Sequence, residues 1–175
     1  MKRFLSLLCG IVALTFTALA QANNNIEPSL NAWWLDITFK PTSQTIRGIP
    51  LEKFSNDWEY AELLSCIDLS QQVSPKDIKE FKSSRFSYEK RLDLNRNGKQ
   101  EQFVVGVYQR KSGVQGQFIS IFEQDKLIKT FTKDGVAGFS ALLIDKGQVY
   151  WSFCMQCGGH NSKKILWNGS DFALW

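Results

Sequence analysis

A chain of 175 residues with 43% hydrophobic and 22% charged residues has the composition of one globular core, which excludes a disordered tail, a collagen-like repeat and a multi-domain machine. Its net charge of +4 includes Lys2 and Arg3, and without them the balance is about +2, too mild to argue for a nucleic-acid partner. With a single histidine, His160, the chain lacks the imidazoles for a His-rich zinc centre or a two-histidine protease helix.

Residues 1–22 have the order of a secretory signal peptide: Lys2 and Arg3, an uncharged apolar stretch from Phe4 to Leu19, then the small-residue sites Ala18-Leu19-Ala20 and Ala20-Gln21-Ala22. The apolar run is short for a membrane span, and no later stretch reaches that length. The expectation is a periplasmic or secreted protein with no transmembrane segment in the mature chain. Cys9 leaves with the leader. Residues 23–175 then form a single domain, with a mixed strand and helix part over 23–84 and a β-meander over 85–175.

Trp33, Leu35, Ile37 and Phe39 alternate with Trp34, Asp36, Thr38 and Lys40, which predicts a half-buried strand ended by Pro41, with Trp34 on the opposite face from Trp33. Asn56 stands three residues before Glu59, and Trp58, Ala61 and Leu64 recur at helical spacing, which predicts a short helix to about Ser65. Ser74-Pro75 with Asp77 predicts a second, with serine as cap and proline in the first turn. After Ser84 the pattern changes to short apolar runs at Phe86–Leu92, Phe103–Tyr108, Phe118–Phe122, Leu127–Phe131, Phe139–Ile144, Val149–Cys154, Ile165–Trp167 and Phe172–Leu174. Turn residues separate them, among them Gln124-Asp125, Asp145-Lys146-Gly147 and Asn168-Gly169. Connections this short join strands only as antiparallel hairpins. The predicted fold class is α+β, with one or two short N-terminal helices and a predominantly antiparallel meander sheet.

Asp93-Leu94-Asn95-Arg96-Asn97-Gly98-Lys99-Gln100-Glu101 carries oxygen side chains at alternate positions, a glycine at the sixth and a carboxylate at the ninth. Hard cations take six to eight oxygens, and a tight loop aims alternate residues inward. Position twelve is Val104, so the closing glutamate of an EF-hand is replaced by the start of a strand. The segment resembles the Asp-x-Asn-x-Asp-Gly loops of FG-GAP and VCBS-type secreted β repeats, over about thirty residues. That resemblance implies weak calcium binding by the side chains of Asp93, Asn95, Asn97 and Glu101 and the backbone carbonyl of Lys99. The alternative is a bare Asn-Gly turn whose side chains bond their own backbone. As a whole the chain looks like a secreted bacterial protein.

The mature cysteines are Cys66, Cys154 and Cys157, an odd number for an oxidising compartment, so one disulfide and one leftover thiol are expected without a fixed pairing. A redox pair at Cys154 and Cys157, or a zinc site adding Cys66 and His160, are the alternatives. Among six tryptophans, Trp34 is the foremost candidate for an exposed ring that binds a glycan or anchors a protein, followed by Trp33. No nucleophile elbow, phosphate loop or zinc-protease helix is present in the sequence. The functional expectation is a non-catalytic binding or inhibitory module for another envelope or extracellular protein. A thiol-redox or metal-binding envelope protein and a carbohydrate-binding module are the alternatives.

Overall fold

In a computed structural model, residues 32–157 and 161–175 are described; the expected leader, residues 1–22, and His160 lie outside them. Trp33–Leu35 forms a 3-10 turn. A hairpin follows, β1 (Thr45–Ile46) and β2 (Ile49–Pro50), then a second 3-10 turn at Leu51–Lys53 and β3 (Trp58–Leu63). Two helices come next, α1 (Cys66–Ser70) and α2 (Pro75–Ser83). The rest is strand: β4 (Phe86–Ser87), β5 (Glu89–Leu92), β6 (Glu101–Arg110), β7 (Gln115–Glu123), β8 (Lys126–Asp134), β9 (Ala141–Asp145), β10 (Gln148–Ser152), β11 (Ser162–Trp167) and β12 (Phe172–Leu174).

The protein is mostly antiparallel β, and among the described residues the strands beyond the separate β1-β2 hairpin divide into two five-stranded sheets, in place of a single meander. The first sheet runs β3-β6-β7-β8, with β5 beside β3 on the same edge of the long β6; the second runs β4-β9-β10-β11-β12. Between β8 and β9 the chain passes from one sheet to the other. The main core gathers Phe103, Val105, Val107, Ile119 and Ile121 of the first sheet with Leu142, Val149, Trp151 and Ile165 of the second, and Leu69 of α1 and Phe81 of α2 join it. The opposite face of the first sheet is also covered. Val104, Tyr108, Phe118 and Phe122 form a second core with Ile46, Leu51, Trp58 and Ala61. Burial on both faces explains why β6 and β7 read as continuous apolar runs rather than alternating ones.

The turn chemistry agrees with the sequence. Gln124 and Asp125, like Lys146 and Gly147, both have positive φ, and the paired residues Glu123 with Lys126 and Asp145 with Gln148 close two-residue hairpins around them, as primed turns require. At α2 the Ser74 side chain accepts from the Asp77 backbone N–H while the Asp77 carboxylate accepts from the Ser74 N–H. This is the predicted cap, strengthened into a reciprocal box.

Two local expectations are corrected. Residues 56–65 form no helix; Trp58–Leu63 is β3. A bulge at Glu59 shifts the register, Trp58 pairing with Arg110 and Tyr60 with Gln109, so Trp58 and Ala61 fall on one face at a spacing that imitates a helical period. Residues 33–39 form no strand. The 3-10 turn places the consecutive rings of Trp33 and Trp34 in the same core, 5.7 Å apart and edge to face, and only Ile37 and Phe39 keep the alternation. A further helix, α1, is capped by a box of Ser65 with Asp68, which uses aspartate where glutamate is the usual signal.

Candidate functional site

The Asp93 loop is the connection of the β5-β6 hairpin, and the pairing of Leu92 with Glu101 pins its two ends. Asp93 accepts from the backbone N–H of Asn97 and of Gly98, both at 3.0 Å, one through each carboxylate oxygen. Asn95 Oδ1 accepts from the Asn97 N–H at 2.9 Å, and Asn97 Oδ1 from the Lys99 N–H at 2.8 Å. Glu101 is fully buried. Its Oε2 accepts from the Leu94 N–H at 2.7 Å, while its Oε1, equally buried, has no hydrogen-bond partner. Burial pushes this carboxyl above the ordinary range, the backbone N–H groups of Leu94 and Asn95 pull it back, and Asp93 adds a further upward push. The five sequence-predicted residues thus lie in one closed loop. Glu123 was not foreseen: from the facing end of β7 it accepts from Asn97 Nδ2 at 2.7 Å and pairs with Lys99 Nζ at 3.4 Å. Among the described residues no three of His, Cys, Asp and Glu converge on a point; the loop's inward oxygens are those of two carboxylates and two carboxamides.

The thiols separate. Cys154 and Cys157 form a disulfide, and Cys66, half-buried at the first turn of α1, is free. The pairing removes the thiolates that the zinc alternative needed. It also makes the bridge local. By the chain-entropy relation a loop this small contributes about 2 kcal/mol, and the bond does not tie residues 23–84 to the meander. Alkylating the unfolded, unreduced protein is expected to label Cys66 and spare Cys154 and Cys157, which become labelled after reduction. Peptide mapping checks it, and label on either of the pair before reduction would contradict the assignment.

Trp33 and Trp34, the sequence candidates for an exposed platform, are buried, at 5% and 4% exposure. Trp33 meets Phe81 and Phe139 edge to face. The exposed ring is Trp175, at 82%. Its backbone exchanges two hydrogen bonds with Lys164, which sets the two side by side on the outer face of the second sheet. Register extends the row: Lys164 is opposite Tyr150, Tyr150 opposite Leu143, and Leu143 opposite Phe86. One residue from each strand, with Trp175 just past β12, therefore forms a line across the sheet. Beside it Leu166 pairs with Ala173. A cleft of ≈ 440 Å³ lies at the end of the row, lined by Tyr150, Ser162, Lys163, Lys164 and Trp175. Nothing in the sequence distinguished this face from the buried one, because both carry large apolar residues.

A separate cleft of ≈ 350 Å³ lies between the 38–42 segment, the end of β3 and α1, and it contains Glu62 and Asp68. Both carboxylates are already held, Glu62 by the N–H and hydroxyl of Thr42 and Asp68 by its helix cap. In comparisons with known proteins the chain matches no family model, no curated protein and no solved structure.

Proposed function

We propose that the protein is a periplasmic or secreted binding module, without catalysis of its own, that presents the outer face of its second sheet to a partner. The observation that carries this reading is the character of that face. An antiparallel sheet with one solvated side ordinarily turns polar residues to water. Here Leu143, Tyr150, Leu166, Ala173 and Trp175 lie on it and belong to neither core. Contiguous apolar surface of this kind marks interaction sites in soluble proteins. The compartment rests on the leader sequence and is supported by the Cys154–Cys157 disulfide; N-terminal sequencing of the exported protein should begin after Ala20 or Ala22. A photoreactive phenylalanine in place of Leu166 should form adducts in the native envelope, whereas the same group in place of Val114, in the β6-β7 turn, should not. Equal adducts at both positions, or none at either, would overturn the reading.

The calcium reading has its own support. Glu101 Oε1 is a fully buried carboxylate oxygen without a hydrogen-bond donor, in a loop whose other side-chain oxygens, on Asp93, Asn95 and Asn97, accept from the loop's own N–H groups. Burying a charge without compensation costs several kcal/mol, and a bound cation removes that cost. We assign Asp93, Asn95, Asn97 and Glu101 as the residues that would hold calcium, with the Lys99 carbonyl, and its role would be to fix the β5-β6 hairpin. For an affinity in the range of extracellular modules, about 10 mM calcium should stabilise the protein by about 1–3 kcal/mol. Asp93→Ala and Glu101→Gln should abolish the response. Thermal melts in calcium and in chelator measure it, and an unchanged response in both variants would remove the loop from the site.

A further inference from the structure

We propose that Glu123, at the end of β7, is a positioning residue for calcium in the Asp93 loop: it turns the Asn97 carboxamide so that the oxygen faces the loop, and it holds Lys99 beside it. This role rests on the calcium reading and adds to it the residue outside the loop that sets the ligand geometry. An asparagine amide has one accepting end and one donating end, so Asn97 serves a cation only with its oxygen inward. Glu123 Oε2 accepts from Asn97 Nδ2 at 2.7 Å, while Asn97 Oδ1 accepts from the Lys99 N–H at 2.8 Å. The nitrogen is thereby taken outward and the oxygen is left to the loop. Glu123 Oε1 also pairs with Lys99 Nζ at 3.4 Å, so Lys99, whose carbonyl completes the proposed ligand set, is tied through both its backbone and its side chain. The same pairing neutralises a lysine charge that would repel a cation.

The backbone of Glu123 is fixed from both sides, by its pairing with Glu101 of β6 and with Lys126 of β8. Residues directly opposite each other in an antiparallel pair point to the same face, and like charges placed there repel. Glu101 is fully buried and its Oε1 has no hydrogen-bond donor. Lys99 answers the charge of Glu123, whereas no basic side chain pairs with Glu101 among the described residues. A cation held by the Asp93 loop would answer Glu101. Outer partners that orient metal ligands in this way are worth about 10- to 100-fold in affinity. The arrangement also accounts for asparagine at the fifth position of the loop, where the loops it resembles carry aspartate. An aspartate there would set its second oxygen against the Glu123 carboxylate. The negative charge stands on β7 instead, one bond further from the ion.

The experiment titrates the full mature protein with calcium chloride, followed by NMR, with thermal melts in chelator as the control for folding. Glu123→Ala should weaken calcium binding about tenfold, while its melt in chelator stays close to that of the parent, because a partly exposed ion pair contributes little to stability. Glu123→Gln keeps an oxygen that accepts from Asn97, and should bind within about threefold of the parent. Asn97→Asp alone should bind no more tightly than the parent. Combined with Glu123→Gln it should bind more tightly, since the glutamine amide can then donate to the new oxygen. Binding unchanged in Glu123→Ala, Glu123→Gln as weak as Glu123→Ala, or tighter binding by Asn97→Asp alone would each overturn the proposal and leave the calcium loop standing. No calcium binding by the parent would reject the calcium reading, and this role with it.

Discussion

Truncation of Trp58 to alanine should lower the stability of the protein by about 3–5 kcal/mol, the range for removing a large buried ring that its surroundings cannot replace. Trp58 is 4% exposed and lies at the centre of the second core. Its ring stacks on Tyr108 at 4.8 Å and on Phe54 at 6.0 Å, and Phe118 tilts against it at 5.0 Å. The second core is small, so few side chains remain to collapse into the space. The loss also reaches beyond packing. Tyr108 and Arg110 on the same strand converge on Asp134, and Arg110 bridges back to Asp57 immediately before Trp58, so the ring helps hold a polar clamp between β3, β6 and β8. Against a total stability of 5–15 kcal/mol for an ordinary domain, the variant should be marginal or unfolded at ambient temperature. Urea unfolding followed by circular dichroism measures it. A loss under about 1 kcal/mol would show that the hairpin and turn over the first sheet are a loose flap rather than a core.

The second large effect belongs to a methyl group. Gly106 in β6 is paired with Phe118 in β7, and Gly116 in β7 with Tyr108 in β6, so each glycine lies beneath an aromatic ring from the neighbouring strand. A Cβ on Gly106 would run into the Phe118 ring and the Glu62 carbonyl of β3; one on Gly116 would meet the Lys133 carbonyl and the Tyr108 ring. Rings can turn aside, but the carbonyls belong to paired strands and cannot move without breaking the ladder. Gly106→Ala should therefore cost about 3 kcal/mol, at the upper end of ordinary overpacking. Adding Phe118→Leu should recover part of the loss by removing the ring and leaving the carbonyl clash. Denaturant midpoints of the single and double variants test both statements. A neutral Gly106→Ala would mean that β3 is free to shift along β6.

Much of this architecture is legible in the amino-acid order. The C-terminal strands follow from apolar runs of fitting length broken by residues that accept positive φ, and the turn at Gln124-Asp125 adopts that conformation. The cap of α2 is local chemistry between Ser74 and Asp77. The Asp93 loop was readable for the same reason: each of its hydrogen bonds, apart from those to Glu123, spans seven residues or fewer.

What failed was everything that depends on which face meets which. The Trp58, Ala61 and Leu64 spacing imitates a helix because a bulge resets the strand's faces, and a bulge is chosen by the partner strand β6. Trp34 alternates with its neighbours on paper, yet the 3-10 turn buries it beside Trp33. Local propensity and hydrogen bonding within a few residues thus determined the C-terminal strands, their turns, the α2 cap and the hydrogen bonds of the Asp93 loop. Only the tertiary structure decided the division into two sheets, the pairing of Cys154 with Cys157 over Cys66, and the exposure of Trp175. Side-chain alternation says that a strand has two faces, but the sheet packed against it selects the one that is buried.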